Sequence, residues 1–403
     1  MNRYGNGRRT RVSRRRALVS IGAAVAGAPA VLRGRFALFG QTERQYSARA
    51  VRLVEETTVV DLLNQFRFAD YSERPPRSER WLRVPGSFTA EDREIYRSSG
   101  IDVIALGHGP GDYEGAFRFF AEWNGLLAAY PDTFTRIDDA TDFERARTTG
   151  KVGVLLSFQD STHFRTPADV ETFFGLGQRI SQLTYNFNNR IGSGFLEQRD
   201  GGLSVFGLSI MERMQQAGMA VDLSHCGDQT TLDALDAAKR PVLFTHANCR
   251  ALVTGHLRCK TDEAIRKMAA TGGMMGIAFI RFMARAQEPV ELEHVLGHVD
   301  HVARLVGIDH VGIGSDLDIV GNPNAVGGGF QPSSQPNFSR YQYHEDAGGR
   351  ITVKGLDHPK RMFDLTEGLI RRGYADAEIK SVLGGNAVRV LSDIWKGQGT
   401  PGG

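Results

Sequence analysis

Cysteine is scarce in this chain: Cys226, Cys249 and Cys259 are the only three among 403 residues. So few thiols exclude a disulfide-built scaffold, and an odd count leaves at least one thiol unpaired within the chain. No apolar run is long enough to read with assurance as a membrane span; the best, "ALVSIGAAVAGAPAVL", is short and rich in Ala and Gly. Repeats at solenoid periods are absent. So is a G-x-G-x-x-G fingerprint after the first strand pattern, which argues against a doubly wound dinucleotide fold. Acidic residues are missing from the first thirty positions, which carry seven Arg, and removing them takes the net charge from +3 to −4. The basic balance therefore belongs to the N-terminus, and a nucleic-acid partner is not expected.

What is present reads as a large globular core, with 41% hydrophobic residues. Ahead of it, "SRRRALV" (Ser13 to Val19) resembles a twin-arginine export signal, with Arg14 and Arg15 as the pair and Ala where Phe is usual. The triplets Ala26-Gly27-Ala28 and Ala28-Pro29-Ala30 offer cleavage points. The expected organisation is an export signal over residues 1–30, a linker over 31–50 and one catalytic domain over 51–397, in the periplasm or cell envelope of a bacterium.

Beyond the signal, eight β-branched or apolar runs alternate with helical patterns: 57–63, 101–106, 151–158, 180–185, 219–224, 241–245, 273–280 and 310–315. That rhythm predicts an α/β (β/α)8 (TIM) barrel. Two connections are long, Arg67 to about Ser98 after the first strand and Ile319 to about Lys354 after the last. Both are expected as lids or specificity loops at the C-terminal face, where such barrels carry their active sites.

Polar residues at the strand ends are the ones to interrogate: Gln65, Gln159, Tyr185, His225, His246 and Asp316. "MAVDLSHCGD" and "PVLFTHANCR" are apolar strands that each end in one His, on consecutive strands, the pattern of a metal or acid–base site. Asp316 in "HVGIGSDLD" supplies a carboxylate able to accept and return a proton. Other polar groups read as structural. His294, His298 and His301 share one helical face opposite Leu292, Val295, Val299, Val302 and Val306, so that face is expected to be solvated, and His256 is expected as a surface loop residue. Cys249 and Cys259 bracket the loop after His246, where a disulfide and two free thiols stand as equal expectations. Cys226 has no evident base to make it a nucleophile.

Taken together, "VDLSH", "THANCRAL", "HLRCKTDE", "MAATGGMMGI", "GIDHVGIGSDLD", "GLIRRGY" and "VLGGNAVRVL" resemble the membrane (renal) dipeptidase family of the amidohydrolase-type barrels, over about residues 57 to 395. The resemblance implies two zinc ions bridged by a carboxylate and a hydroxide, hydrolysis of dipeptides, and a homodimer. Carried over position by position, His225 and His246 fall on the two His ligands of one zinc, Asp316 on the catalytic Asp, and Arg258 on the Arg that binds the substrate carboxylate. The first strand departs: Leu63 and Gln65 stand where the family has its His and Asp ligands. Gln159 replaces the bridging Glu, and Tyr185 the His that polarises the scissile carbonyl. Losing two carboxylates removes the charge that offsets a second cation, so a single divalent ion, zinc first, is expected on His225 and His246, with Gln159, Asp316 or water completing a tetrahedron. Tyr185 keeps an O–H donor for a developing oxyanion. Two other outcomes are compatible with these substitutions: a non-hydrolytic tailoring enzyme for a peptide or carboxylate metabolite, and an inactive binding homologue.

Overall fold

The structure, a computed structural model, describes residues 35–37, 45–66, 75–321 and 351–396. The export-signal residues, 67–74 of the first long connection and 322–350 of the second lie outside these. The chain divides into two compact units, Met1–Ala48 and Arg49–Gly403. In the first, Arg35–Ala37 pairs antiparallel with Gln45–Ser47.

The second unit is built on the eight runs anticipated from the sequence. They form β1 (Val60–Asn64), β2 (Val103–Leu106), β3 (Val152–Phe158), β4 (Gln178–Gln182), β5 (Ala220–Asp222), β6 (Leu243–Ala247), β7 (Met274–Ile277) and β8 (Val311–Ile313). Each pairs in parallel with its sequence neighbours, and Ile313 of β8 registers with Asp61 of β1, closing an eight-stranded barrel. All eight strands are buried along their length, which is why most of them read as apolar runs rather than alternating ones; β4, Gln-Arg-Ile-Ser-Gln, is buried but polar. A short strand the periodicity did not disclose, Phe134–Arg136, lies against the start of β3.

Helices cover the outside where their sequences provide both an amphipathic face and stop signals. They include α1 (Tyr113–Ala129), α2 (Ala140–Thr149), α3 (Val205–Ala217), α4 (Asp228–Ala237), α5 (Asp262–Ala270), α6 (Leu292–Val306), α7 (Arg361–Arg371) and α8 (Asn386–Trp395). α3 shows the local logic: Ser204 caps its first turn through the Gly207 N–H at 2.9 Å, and Gly218, at φ 82°, ends it in the left-handed region. α8 brings Ala387, Val390, Leu391, Ile394 and Trp395 into one apolar cluster with Val60, Val103, Leu155, Leu243 and Met274 of the barrel. Truncating Leu391 to Ala there would cost roughly 2–5 kcal/mol. Polar chemistry is left to the other ends of the strands.

Two expectations are corrected and a third gains detail. The described part of the first long connection carries two helices, Arg77–Arg83 and Ala90–Ser98. Trp81 is buried and meets Phe66 and Phe88 edge-on at 5.4 and 5.0 Å, and that aromatic cluster supplies the burial that holds the segment. The histidine face of α6 is not solvated throughout. His298 is fully buried, accepting from the Cys249 N–H at 3.1 Å through Nδ1 and donating to the Ala284 carbonyl at 3.0 Å through Nε2. Two backbone partners offset the cost of burying an imidazole, so this histidine is structural. His256 is also buried, its ring stacked on Phe282 at 5.7 Å.

Candidate metal and catalytic site

The barrel's closure sets the site. Beyond β8 the chain passes so close to β6 that a Cβ on Gly314 would stand 1.8 Å from the Thr245 carbonyl oxygen and 3.1 Å from the His246 Cα. Only glycine allows that approach, and the residues that follow it bond to the ends of the neighbouring strands, Ser315 through its carbonyl to the Phe279 N–H after β7 and Asp316 to Leu63 of β1. Asp316 itself is held at φ 58°, a left-handed conformation that Asp tolerates better than most residues. Its backbone N–H donates to the Leu63 carbonyl at 2.9 Å, and its carboxylate accepts from Gln65 Nε2 at 2.7 Å. Behind it, Asp61 takes the Ser315 N–H at 2.7 Å and the Ser315 hydroxyl at 2.6 Å, with Arg361 Nη2 3.8 Å away. Both members of that ion pair are fully buried.

His225 follows β5 and His246 lies in β6; both are buried, and their Nε2 atoms face each other at 2.9 Å. The far side of each ring is held. His225 Nδ1 lies 2.8 Å from Asn186 Oδ1, and His246 Nδ1 lies 2.8 Å from Thr245 Oγ1. Tyr185 stacks on His225 with ring centroids 4.3 Å apart. Arg258 reaches in from the loop after β6, buried, and donates to the carbonyls of Ser224 at 2.6 Å and His246 at 2.7 Å. It thus clamps the two histidine-bearing strand ends together with two of its five N–H donors.

The electrostatics follow from burial. Both histidines are pushed well below the usual imidazole range by burial first and by the Arg258 charge next, so they are neutral and present lone pairs at neutral pH. Burial pushes Asp316 up to about 6, opposed by Arg258 and the Gln65 hydrogen bond. Tyr185 is pushed up to about 12 by burial and then by Asp316, and stays a hydroxyl donor. Lys260, buried beside the site, falls to about 8 through burial, while its ammonium donates to the Cys226 carbonyl at 2.9 Å.

Two converging imidazole Nε2 atoms suit a single divalent ion. With metal–nitrogen distances of about 2.0–2.1 Å, a tetrahedral ion needs its two nitrogens about 3.3 Å apart, so the rings would part by only a few tenths of an ångström. Among the described residues, no group of three or more His, Cys, Asp and Glu is placed to hold an ion. The other sequence candidates sort as follows. Gln159 and Gln65 lie together, their Nε2 atoms 3.1 and 3.0 Å from where a Cβ on Gly107 would stand, and Leu63 is buried. The Cys249–Cys259 disulfide is not formed: all three cysteines are buried free thiols, with Cys249 Sγ directed at the His298 carbonyl and Cys259 Sγ at the Met283 carbonyl, each at 3.8 Å. Burial pushes Cys226 up to about 11, which removes it as a nucleophile. Sequence reasoning missed Asp222, Thr245 and Asn186, the partners behind the histidines; the Asp three residues before His225 and the Thr preceding His246 were the available signals.

Comparisons with known proteins agree with this architecture. The membrane dipeptidase (Peptidase family M19) model matches residues 120–338 and 345–398. Dipeptidase verJ of Clonostachys rogersoniana is 30% identical over 272 residues, 67% of this chain and 62% of that protein, so the chain matches about three fifths of its curated relative's length. An amidohydrolase from Pseudomonas aeruginosa superposes with a TM-score of 0.70 at 26% identity, over 86% of this chain and 99% of that one. A metallopeptidase from Rhodobacter sphaeroides, solved with a phosphinate mimic of the dipeptide L-Ala-D-Ala, superposes with a TM-score of 0.66 at 18% identity, over 84% and 99%. With its eight-stranded parallel barrel and the family model spanning most of its length, the chain belongs to the membrane dipeptidase family of metallopeptidases.

Proposed function

We propose that this protein is a metal-dependent hydrolase that cleaves a dipeptide or a related small amide, using one divalent ion, zinc first, on His225 and His246. The observation that carries the reading is the 2.9 Å approach of the two neutral Nε2 atoms, each with its Nδ1 held from behind. Leu63, Gln65 and Gln159 offer no carboxylate to offset a second cation, which favours one ion over two. When bound, such an ion polarises a carbonyl and lowers the pKa of water.

The chain's own residues supply the remainder. Asp316 is the carboxylate that takes a proton from water and returns it to a leaving amine in this reading, and its raised pKa suits both directions near neutrality. Tyr185, protonated and stacked on His225, donates to the oxyanion that forms at the scissile carbonyl. Arg258 fixes the positions of His225 and His246, and its remaining N–H groups and charge favour a substrate carboxylate. A dipeptide substrate is consistent with the phosphinate dipeptide mimic bound by the Rhodobacter sphaeroides relative. The Arg14–Arg15 segment supports export by the twin-arginine route to the periplasm or cell envelope, and the family supports a homodimer.

The test is hydrolysis of a panel of L,L- and L,D-dipeptides by purified protein with and without a chelator. Cleavage that is lost on chelation and restored by zinc supports the reading; cleavage insensitive to chelation overturns it. A second reading, an inactive binding homologue, is favoured by Leu63, Gln65 and Gln159 in place of metal-binding side chains. It predicts dipeptide binding without turnover.

A further inference from the structure

The hydrogen bonds behind the two histidines have a direction, and it can be traced from atom to atom. Asp222, buried at the end of β5, receives four donors: Ser224 N–H at 3.0 Å, Ser224 hydroxyl at 2.6 Å and Thr245 N–H at 2.9 Å on Oδ1, and the Thr245 hydroxyl at 2.7 Å on Oδ2. Burial raises the pKa of Asp222 and the four donors oppose that rise; as a carboxylate it only accepts, and so takes the single hydroxyl proton of Thr245. Thr245 Oγ1 then has only lone pairs to offer to His246 Nδ1, 2.8 Å away, and His246 must donate there. Ser224 is used up in the same way: its proton goes to Asp222, and its oxygen accepts the His246 backbone N–H at 3.1 Å. On the other ring, the amide oxygen of Asn186 accepts from His225 Nδ1 at 2.8 Å. With the Asn186 amide oxygen and Thr245 Oγ1 as the acceptors, each ring carries its proton on Nδ1 and turns its Nε2 toward the other ring at 2.9 Å.

We infer that Asp222, acting through Thr245, and Asn186 are positioning residues that lock His246 and His225 in the Nδ1–H tautomer, so that the pair is preset to receive a divalent cation between the Nε2 atoms. A partner behind a ligating imidazole typically changes metal affinity by about 10–100-fold. The Asp222 arm is longer than the usual direct contact, because a hydroxyl relays the carboxylate's preference to the ring. Asp222→Asn inverts that relay: its side-chain N–H₂ can donate to Thr245 Oγ1, freeing the threonine proton for His246 Nδ1 and moving the ring proton to Nε2.

This inference rests on the proposed metal site, but its test separates the two. Full-length protein labelled with 15N-histidine is stripped with a chelator, and the tautomers of His225 and His246 are read by long-range 1H–15N NMR; zinc affinity is then measured by competition with a chromophoric chelator. The expected result is Nδ1–H for both rings in the wild type. In Asp222→Asn and Thr245→Val, His246 loses that tautomer and zinc binds about 10–100-fold more weakly, whereas Thr245→Ser retains both properties. Asn186→Leu should do the same to His225 alone. If Asp222→Asn fails to fold, the Thr245 pair carries the test, since Val and Ser differ there in the hydroxyl. A wild-type His246 protonated on Nε2, or a Thr245→Val protein with unchanged tautomer and affinity, overturns the lock. Absence of zinc binding with the tautomers as expected overturns the metal site and leaves the lock standing.

Discussion

Gln65 Nε2 donates to Asp316 Oδ1 at 2.7 Å, joining the end of the first barrel strand to the end of the last. A neutral amide here stabilises the charged carboxylate, and with Arg258 it restrains a pKa that burial pushes up to about 6. If Asp316 acts as the base, kcat/KM falls as pH drops through about 6, because the protonated acid cannot accept. Gln65→Leu removes one stabilising donor, so the acid limb should move to higher pH. A limb that stays in place or moves lower would show that Asp316 is not the titrating base.

The buried pair of Asp61 and Arg361 holds the turn that presents Asp316, through the two Ser315 hydrogen bonds to Asp61. Arg361→Met should destabilise the protein by about 3–5 kcal/mol, because it strands a carboxylate in the interior. Asp61→Asn combined with Arg361→Met should cost less than the sum of the single changes, which denaturant titration of all four proteins would measure.

Gly314→Ala should be poorly tolerated, since its Cβ would fall 1.8 Å from the Thr245 carbonyl oxygen. Overpacking of this kind costs roughly 1–3 kcal/mol, and here it also shifts the turn that carries Asp316. The expected result is a folded protein with a lowered melting temperature and a larger loss in kcat than in KM.

Acid should weaken the fold through histidines buried in the neutral form. Burial lowers His163 to about 3 and His298 to about 4. Below the ordinary imidazole pKa the unfolded chain takes up protons that these folded residues refuse, so stability is intact above about 6.5 and is lost as pH falls. By pH 5 each contributes about 2 kcal/mol of loss. Replacing His163 by Leu should flatten the dependence of stability on pH between 6.5 and 5, as followed by thermal unfolding.

The fold was legible because the barrel strands are buried on both faces and most of them announce themselves as apolar runs, as in "GVLLSF" and "PVLFTH". The short Phe134–Arg136 strand has no such signature, and the helix at Arg77–Arg83 was hidden in an Arg- and Pro-rich stretch that Trp81 anchors. Of the site, the strand-end rule found His225, His246 and Asp316. It could not find Asp222 or Asn186, because their importance lies in which atom of a neighbouring ring they face, and that is a property of three-dimensional register. His298 was misread for a related reason: helical periodicity reports which residues share a face, whereas its backbone partners, the Cys249 N–H and the Ala284 carbonyl, come from other segments.

The central claim, one ion on two imidazoles, is tested most directly by elemental analysis of the purified full-length protein beside His246→Ala. The account predicts about one divalent ion per chain in the wild type and none in the variant. Two ions per chain, or none in a folded wild-type protein supplied with zinc, would contradict it.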